Sequence, residues 1–325
     1  MTRPASERTL LDAVLATVAY ADLFDFPLDA AEVQRDLIGV AADDTQMACA
    51  LGQLCRRGEL ASEGTYLTLP GRHGLAELRW ERSERAARMW PTAQRLGESL
   101  SRFPYVRLVA VTGSLAAGNP DARADIDYLI VTAPGRLWTV RALAIVLVRL
   151  ARQAGVAVCP NYLLSTRALA LEHQDLFTAH ELLQATPAPA SAIYRRMLDC
   201  NRWAERWLPN RYRRSHALPP TSPVAGSLQQ AAEALLGGRL GERFEAWEAR
   251  RKQERLGQVG HGRFTADVCE GHFGNGRRRT LQMFLQHCRQ YGIVPPAVVY
   301  SPYPLPSEEG TREPGALRPV LLPAL

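Results

Sequence analysis

The 325-residue sequence predicts an α+β protein in which a small sheet is flanked by helices. Two apolar runs in the middle of the chain, 108–112 and 124–131, have the length and hydrophobicity of buried strands, the second interrupted by two aspartates. Most of the sequence on either side carries apolar residues at the three- and four-residue spacing of amphipathic helices. These two patterns together predict the fold class.

Residues 1–72 are predicted to form three helices followed by a hairpin. The predicted helices and strands are 10–23, 28–37, 43–57, 60–62 and 65–69. Asp29 and Asp43 are suitable N-caps, and Glu63-Gly64 is a turn. The order resembles the winged-helix domains of bacterial regulators, whose third helix enters the DNA major groove, which makes DNA a candidate partner. The acidic start of this third helix favours an alternative, in which the module packs on its neighbour or binds a protein or a substrate.

Residues 73–103 are predicted to form one linking helix. Charged and apolar residues alternate at helical spacing over 75–100, and glutamates interleave with four arginines: Arg79, Arg82, Arg85 and Arg88. Such a pattern is typical of a solvated, ion-paired helix.

The segment 104–190 contains the motif that constrains the chemistry most. Gly113-Ser114 ends the first apolar run, and ten residues later the second run contains Asp125 and Asp127. Alternate residues of a strand share a face, so both carboxylates project to the same side. Two adjacent ionised carboxylates repel each other, and a strand end that keeps both ionised usually has a cation between them, for which Mg²⁺ is best suited. The glycine lets the backbone turn toward a ligand, and free N–H groups at a following helix start would bind a triphosphate.

This arrangement resembles the signature of the DNA polymerase β-like nucleotidyltransferase superfamily. Gly118 and the run Ala124–Val131 fall in the register of its small bacterial members. The resemblance implies a catalytic core with a mixed sheet and flanking helices, which moves a nucleoside monophosphate from an NTP to a hydroxyl and releases pyrophosphate. It also implies that Gly113 and Ser114 hold the NTP phosphates and that the two aspartates are catalytic and bind Mg²⁺.

Two further positions complete the predicted site. Arg123, in the loop before the aspartates, is a candidate partner for a phosphate, and a solvated surface arginine is the alternative. The family usually carries a third acidic residue on a later strand, but the run 156–164 has none, and Asn161 is the polar residue nearest that place. A neighbouring helix offers three alternative carboxylates: Glu172, Asp175 and Glu181. Without such a carboxylate, the domain would bind a nucleotide and transfer slowly or not at all.

Helical spacing continues beyond the core. Residues 191–294 are predicted to form an α-helical C-terminal region, and 295–325 a proline-rich, disordered tail. Three consecutive arginines, 277–279, follow a glycine-rich loop and could bind phosphate or RNA.

Composition narrows the class of protein. The formal net charge of +6 favours a polyanionic partner or substrate. The six cysteines lack C-x-x-C spacing, which argues against a zinc site or a disulfide scaffold and favours reduced thiols in the cytoplasm. The N-terminal segment has the pattern of an amphipathic helix rather than of a signal peptide, and 138–150 is too short and too charged to span a bilayer. We therefore expect a cytoplasmic protein without a membrane partner.

The sequence thus predicts a Mg²⁺-dependent nucleotidyltransferase whose hydroxyl acceptor is a small molecule, an RNA end or a protein side chain. A deep pocket lined by the C-terminal helices would favour the first, and a basic groove joining 277–279 to the aspartates would favour the second. The alternative from another class is a catalytically degenerate nucleotide-binding regulator that binds DNA or a protein partner through its winged-helix-like module. The missing third carboxylate keeps this alternative open.

Overall fold

The computed structural model describes residues 7–187, 192–217, 226–257, 263–270 and 273–296. The first part of the chain contains α1 (Glu7–Asp22), β1 (Leu28–Asp29), α2 (Ala30–Arg35), α3 (Asp44–Arg56), β2 (Ala61–Glu63) and β3 (Tyr66–Thr68). The three strands form a small antiparallel sheet in the order β1-β3-β2, of which the sequence predicted only the hairpin. Both predicted N-caps are confirmed, since Asp29 and Asp43 accept hydrogen bonds from the backbone N–H groups of Glu32 and Gln46.

The predicted linking helix is present as α4 (Leu75–Ser101). The prediction that its arginines are solvated is wrong for those that face the rest of the chain. Arg79 is largely buried and pairs with Glu32 at 2.7 Å, and Arg82 donates to Asn119 Oδ1 at 2.9 Å. Arg88, by contrast, forms an exposed pair with a glutamate one turn away. The sequence pattern could not separate these cases, because arginine and glutamate alternate on both sides of the helix.

The middle of the chain builds most of a six-stranded mixed sheet. Its elements are β4 (Val106–Thr112), α5 (Gly113–Ala116), β5 (Ile126–Thr132), α6 (Leu137–Gln153), β6 (Val158–Ser165), α7 (Leu176–Gln184) and β7 (Thr186–Pro187). β4 lies antiparallel between β5 and β7, and β5 pairs with β6 in parallel across the α6 connection. The three predicted core strands are therefore confirmed.

The last part of the chain contains α8 (Ala192–Cys200), α9 (Ala204–Trp207), α10 (Pro209–Ala217), α11 (Ser227–Leu236), α12 (Arg239–Gly257), β8 (Arg263–Phe264), β9 (Val268–Glu270) and α13 (Phe273–Gln290). The prediction that 191–294 is wholly α-helical is wrong at β8 and β9. β9 pairs with the free edge of β6 and β8 pairs with β9, which completes the order β7-β4-β5-β6-β9-β8. Beyond residue 296 the predicted tail lies outside the described residues.

The two faces of the sheet carry separate layers of apolar side chains. Leu108 and Ala110 of β4 belong to a cluster that also contains side chains of α1, α7 and α13. Val109 and Val111, on the opposite face, belong to a cluster with α4 and α6. The N-terminal helices thus pack on the rest of the chain, which was the alternative considered for this module. No helix in the described ranges has the length and hydrophobicity needed to cross a membrane.

Candidate active site and metal centre

The Gly-Ser turn is in contact with β5, the strand that carries the aspartate motif. β4 and β5 are antiparallel neighbours, and their register places Thr112 opposite Asp127. Gly113 follows with a φ of 66°, in the left-handed region. A Cβ added here would lie less than 3.0 Å from Asp127 Oδ2 and 3.1 Å from its Cγ. Glycine is therefore required both by the backbone conformation and by the carboxylate beside it.

The two aspartates meet a cysteine rather than a third carboxylate. Asp125 precedes β5, Asp127 is the second residue of that strand, and both are partly buried. The parallel register places Cys159 of β6 opposite Asp127. One oxygen from each aspartate and the Cys159 sulfur all lie within 4.8 Å of one another. Sequence reasoning missed Cys159 because it looked for C-x-x-C spacing and for a carboxylate. The available signal was its place at the start of the third core strand.

The electrostatics of this cluster favour a bound cation. Burial raises the pKa of Asp127 well above its usual range, and the negative charges of Asp125 and Glu181 raise it further. Burial also raises the pKa of the Cys159 thiol, and the neighbouring aspartates add to that shift. A divalent ion would relieve this repulsion. The carboxylates are the hard oxygen ligands that Mg²⁺ prefers, whereas a thiol suits softer ions. The two aspartates therefore suit a divalent cation, and the thiol beside them gives the group no specificity for one metal.

Of the three alternative carboxylates, Glu181 of α7 lies at the turn. It accepts a hydrogen bond from Gln184 Nε2 at 2.9 Å. Burial raises the pKa of Glu181 to about 7, against the opposing effects of hydrogen bonds from Gln184 and from the Gly113 backbone N–H. A partly buried carboxyl group thus accepts from the Gly113 N–H, where the sequence predicted a phosphate to bind.

The other two carboxylates are engaged away from the aspartates. Glu172 is exposed and pairs with Arg263. Asp175 caps α7 through the Thr178 N–H at 2.9 Å and pairs with Arg277 at 2.6 Å. Each contributes to local structure instead of the metal cluster.

The remaining predicted residues lie around this cluster. Ser114 is partly buried in α5, a helix of four residues, so the predicted anion site consists of a single turn. Arg123 has an exposed side chain, and its backbone N–H is held by Asp121 Oδ1 at 2.7 Å. Asn161 lines a cavity of about 20 Å³ with Thr112 and Glu181. The roles predicted for Arg123 and Asn161 stay predictions.

A much larger cavity, of about 420 Å³, opens beside the turn. Its walls come from the segment 113–119 and from α1, α2, α4, α7 and α10, so the N-terminal helices form one side. Five aromatic side chains line it: Tyr20, Phe24, Phe26, Trp90 and Phe177. The cavity meets the metal cluster through Gly113 and Glu181, and its described lining does not include the two aspartates. Its volume lies in the range of small-molecule sites.

Comparison with known proteins found no matching family model, no matching curated protein and no matching solved structure.

Proposed function

We propose that this chain is a Mg²⁺-dependent nucleotidyltransferase with a polymerase β-like core, which moves a nucleoside monophosphate from an NTP to a hydroxyl of a small molecule. The observation that supports it most is the contact between the Gly113 turn and Asp127. Any phosphate bound on this turn lies next to the carboxylates. A glycine turn that approaches an aspartate pair this closely is suited to phosphoryl chemistry.

Each residue of the centre has a role in the proposed reaction. Asp125 and Asp127 would hold Mg²⁺, which when bound supplies neutralising charge for the phosphates and the leaving pyrophosphate. The backbone N–H and the hydroxyl of Ser114 would donate to phosphate oxygens, Gly113, whose own N–H donates to Glu181, would let the phosphates approach the turn closely, and Arg123 would pair with a phosphate from the loop. These side chains orient the NTP for in-line attack.

Glu181 is suited to accept the proton of the attacking hydroxyl. It lines the large cavity and also the small cavity behind Thr112, so it lies between the space for an acceptor and the metal cluster. A carboxyl group whose pKa is about 7 can take up a proton and release it near neutral pH. In this proposal α7, instead of the third core strand, supplies the missing carboxylate.

The cavity favours a small-molecule acceptor over an RNA end. It is bounded by the N-terminal helices and by α7, and it adjoins the turn directly. Arg277, the first of the three consecutive arginines, is mostly buried and paired with Asp175. None of the arginines 277–279 belongs to the described lining of the cavity. These residues therefore do not give the cavity the basic lining that an RNA end would need.

Label transfer tests the proposal and identifies the acceptor class. The purified chain is incubated with each α-³²P-labelled NTP and Mg²⁺, with small alcohols, total RNA or protein extract as acceptor. We expect label on a small molecule. Ala21→Trp, which fills the cavity wall on α1, should abolish transfer but retain NTP binding. Ala48→Trp, on the exposed face of α3, is the matched control and should change neither. Label on RNA or protein, or normal transfer by folded Ala21→Trp, would overturn the acceptor assignment.

The thiol of Cys159 favours one alternative function, a nucleotide-binding regulator without transferase activity. A thiol stands opposite Asp127, and β6 brings no carboxylate to the aspartate pair. The outer face of α3 is exposed and ends in Arg56 and Arg57, so it is accessible to DNA. NTP binding without transfer to any acceptor, together with DNA binding that Arg56→Glu/Arg57→Glu removes, would establish this function instead.

A further inference from the structure

Two of the three acidic side chains that line the large cavity, Asp36 and Glu32, are already neutralised by arginines, whereas the third, Glu181, is held by Gln184 and the Gly113 N–H. Asp36 accepts from Arg35 at 2.7 Å and from Arg211 at 2.5 Å, one through each carboxylate oxygen. Glu32 pairs with Arg79 through Oε1 at 2.7 Å, and its other oxygen accepts the Asp29 N–H at 3.1 Å. Both side chains are committed to the protein. A ligand rich in ammonium groups would therefore find few acidic partners here, because its charges would have to displace these arginines.

Two polar side chains of the cavity have unused hydrogen-bonding atoms. Arg79 Nε and Nη1 are buried and have no partner among the described residues, and the same holds for His180 Nε2. The Arg79 guanidinium is held 3.7 Å from the centroid of the Phe26 ring. His180 stacks on Tyr20 with 4.4 Å between ring centroids and 8° between planes. Both side chains are thus fixed in position, and unpartnered buried atoms of this kind take their partner from a ligand or an ordered water.

The charge states of these two side chains define what they would bind. The Arg79 side chain is cationic and offers only donors, so its partner must be a hydrogen-bond acceptor. Burial lowers the pKa of His180 to about 3, which leaves its ring neutral. Its free nitrogen can then accept a hydrogen bond or donate one, according to the tautomer. Together they match a polar ligand edge that carries acceptors and is not itself positively charged.

The apolar part of the lining is aromatic. Tyr20, Phe24 and Phe26 come from the N-terminal part of the chain, Trp90 from α4 and Phe177 from α7. Aromatic rings bind planar rings by stacking or edge-to-face contact, and here His180 and Arg79 already cover one face each of Tyr20 and Phe26. The cavity therefore combines aromatic walls with fixed polar groups that suit carbonyl oxygens or ring nitrogens.

We infer that the acceptor is an uncharged, ring-bearing alcohol of the nucleoside class, bound with its carbonyl or ring-nitrogen acceptors toward Arg79, and that it is not a polyamine such as an aminoglycoside. That this ligand serves as the acceptor rests on the proposed function. The selectivity of the cavity for this ligand class is independent of that function, because it follows from paired acids, unused donors and aromatic walls.

Equilibrium binding tests this inference without any transfer reaction. The full-length chain is titrated calorimetrically, in the absence of NTP, with adenosine, guanosine, cytidine, uridine and kanamycin. We expect at least one nucleoside to bind at least tenfold more tightly than kanamycin. Arg79→Lys keeps the charge beside Glu32 but removes the unused donors, and should weaken nucleoside binding three- to tenfold. His180→Phe keeps the stack on Tyr20 and should weaken it similarly. Arg88→Lys, an exposed change on the same helix, is the matched control and should have no effect.

The outcomes separate this inference from the proposed function. Kanamycin binding as tight as that of every nucleoside would overturn the inference, as would nucleoside binding that Arg79→Lys and His180→Phe leave unchanged. Selective nucleoside binding without nucleotidyl transfer would support the ligand class and count against the transferase. Nucleotidyl transfer to kanamycin would support the transferase and count against the ligand class.

Discussion

A methyl group at Gly113 tests the contact between the turn and the aspartate strand. The residue has a φ of 66°, where an L-residue costs about 1–2 kcal/mol of folding free energy. In Gly113→Ala, the new Cβ would also lie less than 3.0 Å from Asp127 Oδ2. The carboxylate or the turn would have to move by about 1 Å to restore ordinary van der Waals contact. A displacement of this size at a reacting centre reduces the rate by about a hundredfold.

Gly155→Ala separates the two effects. Gly155 has a φ of 76°, and a Cβ there would have no neighbour within 4 Å. Both variants should lose about 1–2 kcal/mol of unfolding free energy in urea, with a larger loss for Gly113→Ala. Transfer by Gly113→Ala should fall about a hundredfold in kcat/KM, and transfer by Gly155→Ala should stay at the wild-type value. Equal losses of stability in the two variants, or wild-type transfer by Gly113→Ala, would refute the reasoning.

Three further substitutions probe the metal centre, the buried histidine and the α8–α9 connection. Cys159→Asp places a hard oxygen ligand opposite Asp127 and should lower the Mg²⁺ concentration needed for half-maximal transfer; a higher requirement would show that this position does not face the metal. Because burial lowers the pKa of His180 from 6.5 to about 3, the unfolded chain binds a proton that the folded chain excludes. This contribution to the unfolding free energy is complete above pH 6.5 and is lost as the pH falls toward 3. His180→Gln should therefore make the unfolding free energy, measured in urea, depend less on pH over that range. An unchanged pH profile would argue against a buried neutral imidazole. Asn201 is fully buried and donates to the carbonyls of Leu169 and Met197, both at 2.7 Å. Asn201→Asp replaces those donors with acceptors and should lower the free energy of unfolding by about 3 kcal/mol. A loss below about 1 kcal/mol in urea would show that these hydrogen bonds contribute little to stability.

The parts of the fold that local sequence determines were predictable. The core strands β4 and β5 are largely apolar runs, and β6 has apolar residues on both sides of Pro160-Asn161. The caps at Asp29 and Asp43 depend on contacts three residues away. The strands β1, β7, β8 and β9 were not predicted, since two or three residues have no measurable period. They form because longer strands offer them free edges.

The candidate site divides in the same way. Gly113, Asp125 and Asp127 could be identified because one short segment carries them all. Cys159 and Glu181 join them only through the parallel register of β6 and the packing of α7, which local sequence does not encode. The large cavity depends on the N-terminal helices packing against the turn, whereas the sequence analysis considered a pocket lined by the C-terminal helices.

Pyrophosphate release tests the proposed chemistry most directly. The wild-type chain and Asp125→Asn/Asp127→Asn are mixed with each NTP, Mg²⁺ and a nucleoside or small-alcohol acceptor, and pyrophosphate is measured against time. Transferase activity predicts acceptor-dependent release by the wild type and none by the folded double variant. NTP binding by the wild type without pyrophosphate release for any acceptor, or release that the double variant retains, would contradict it.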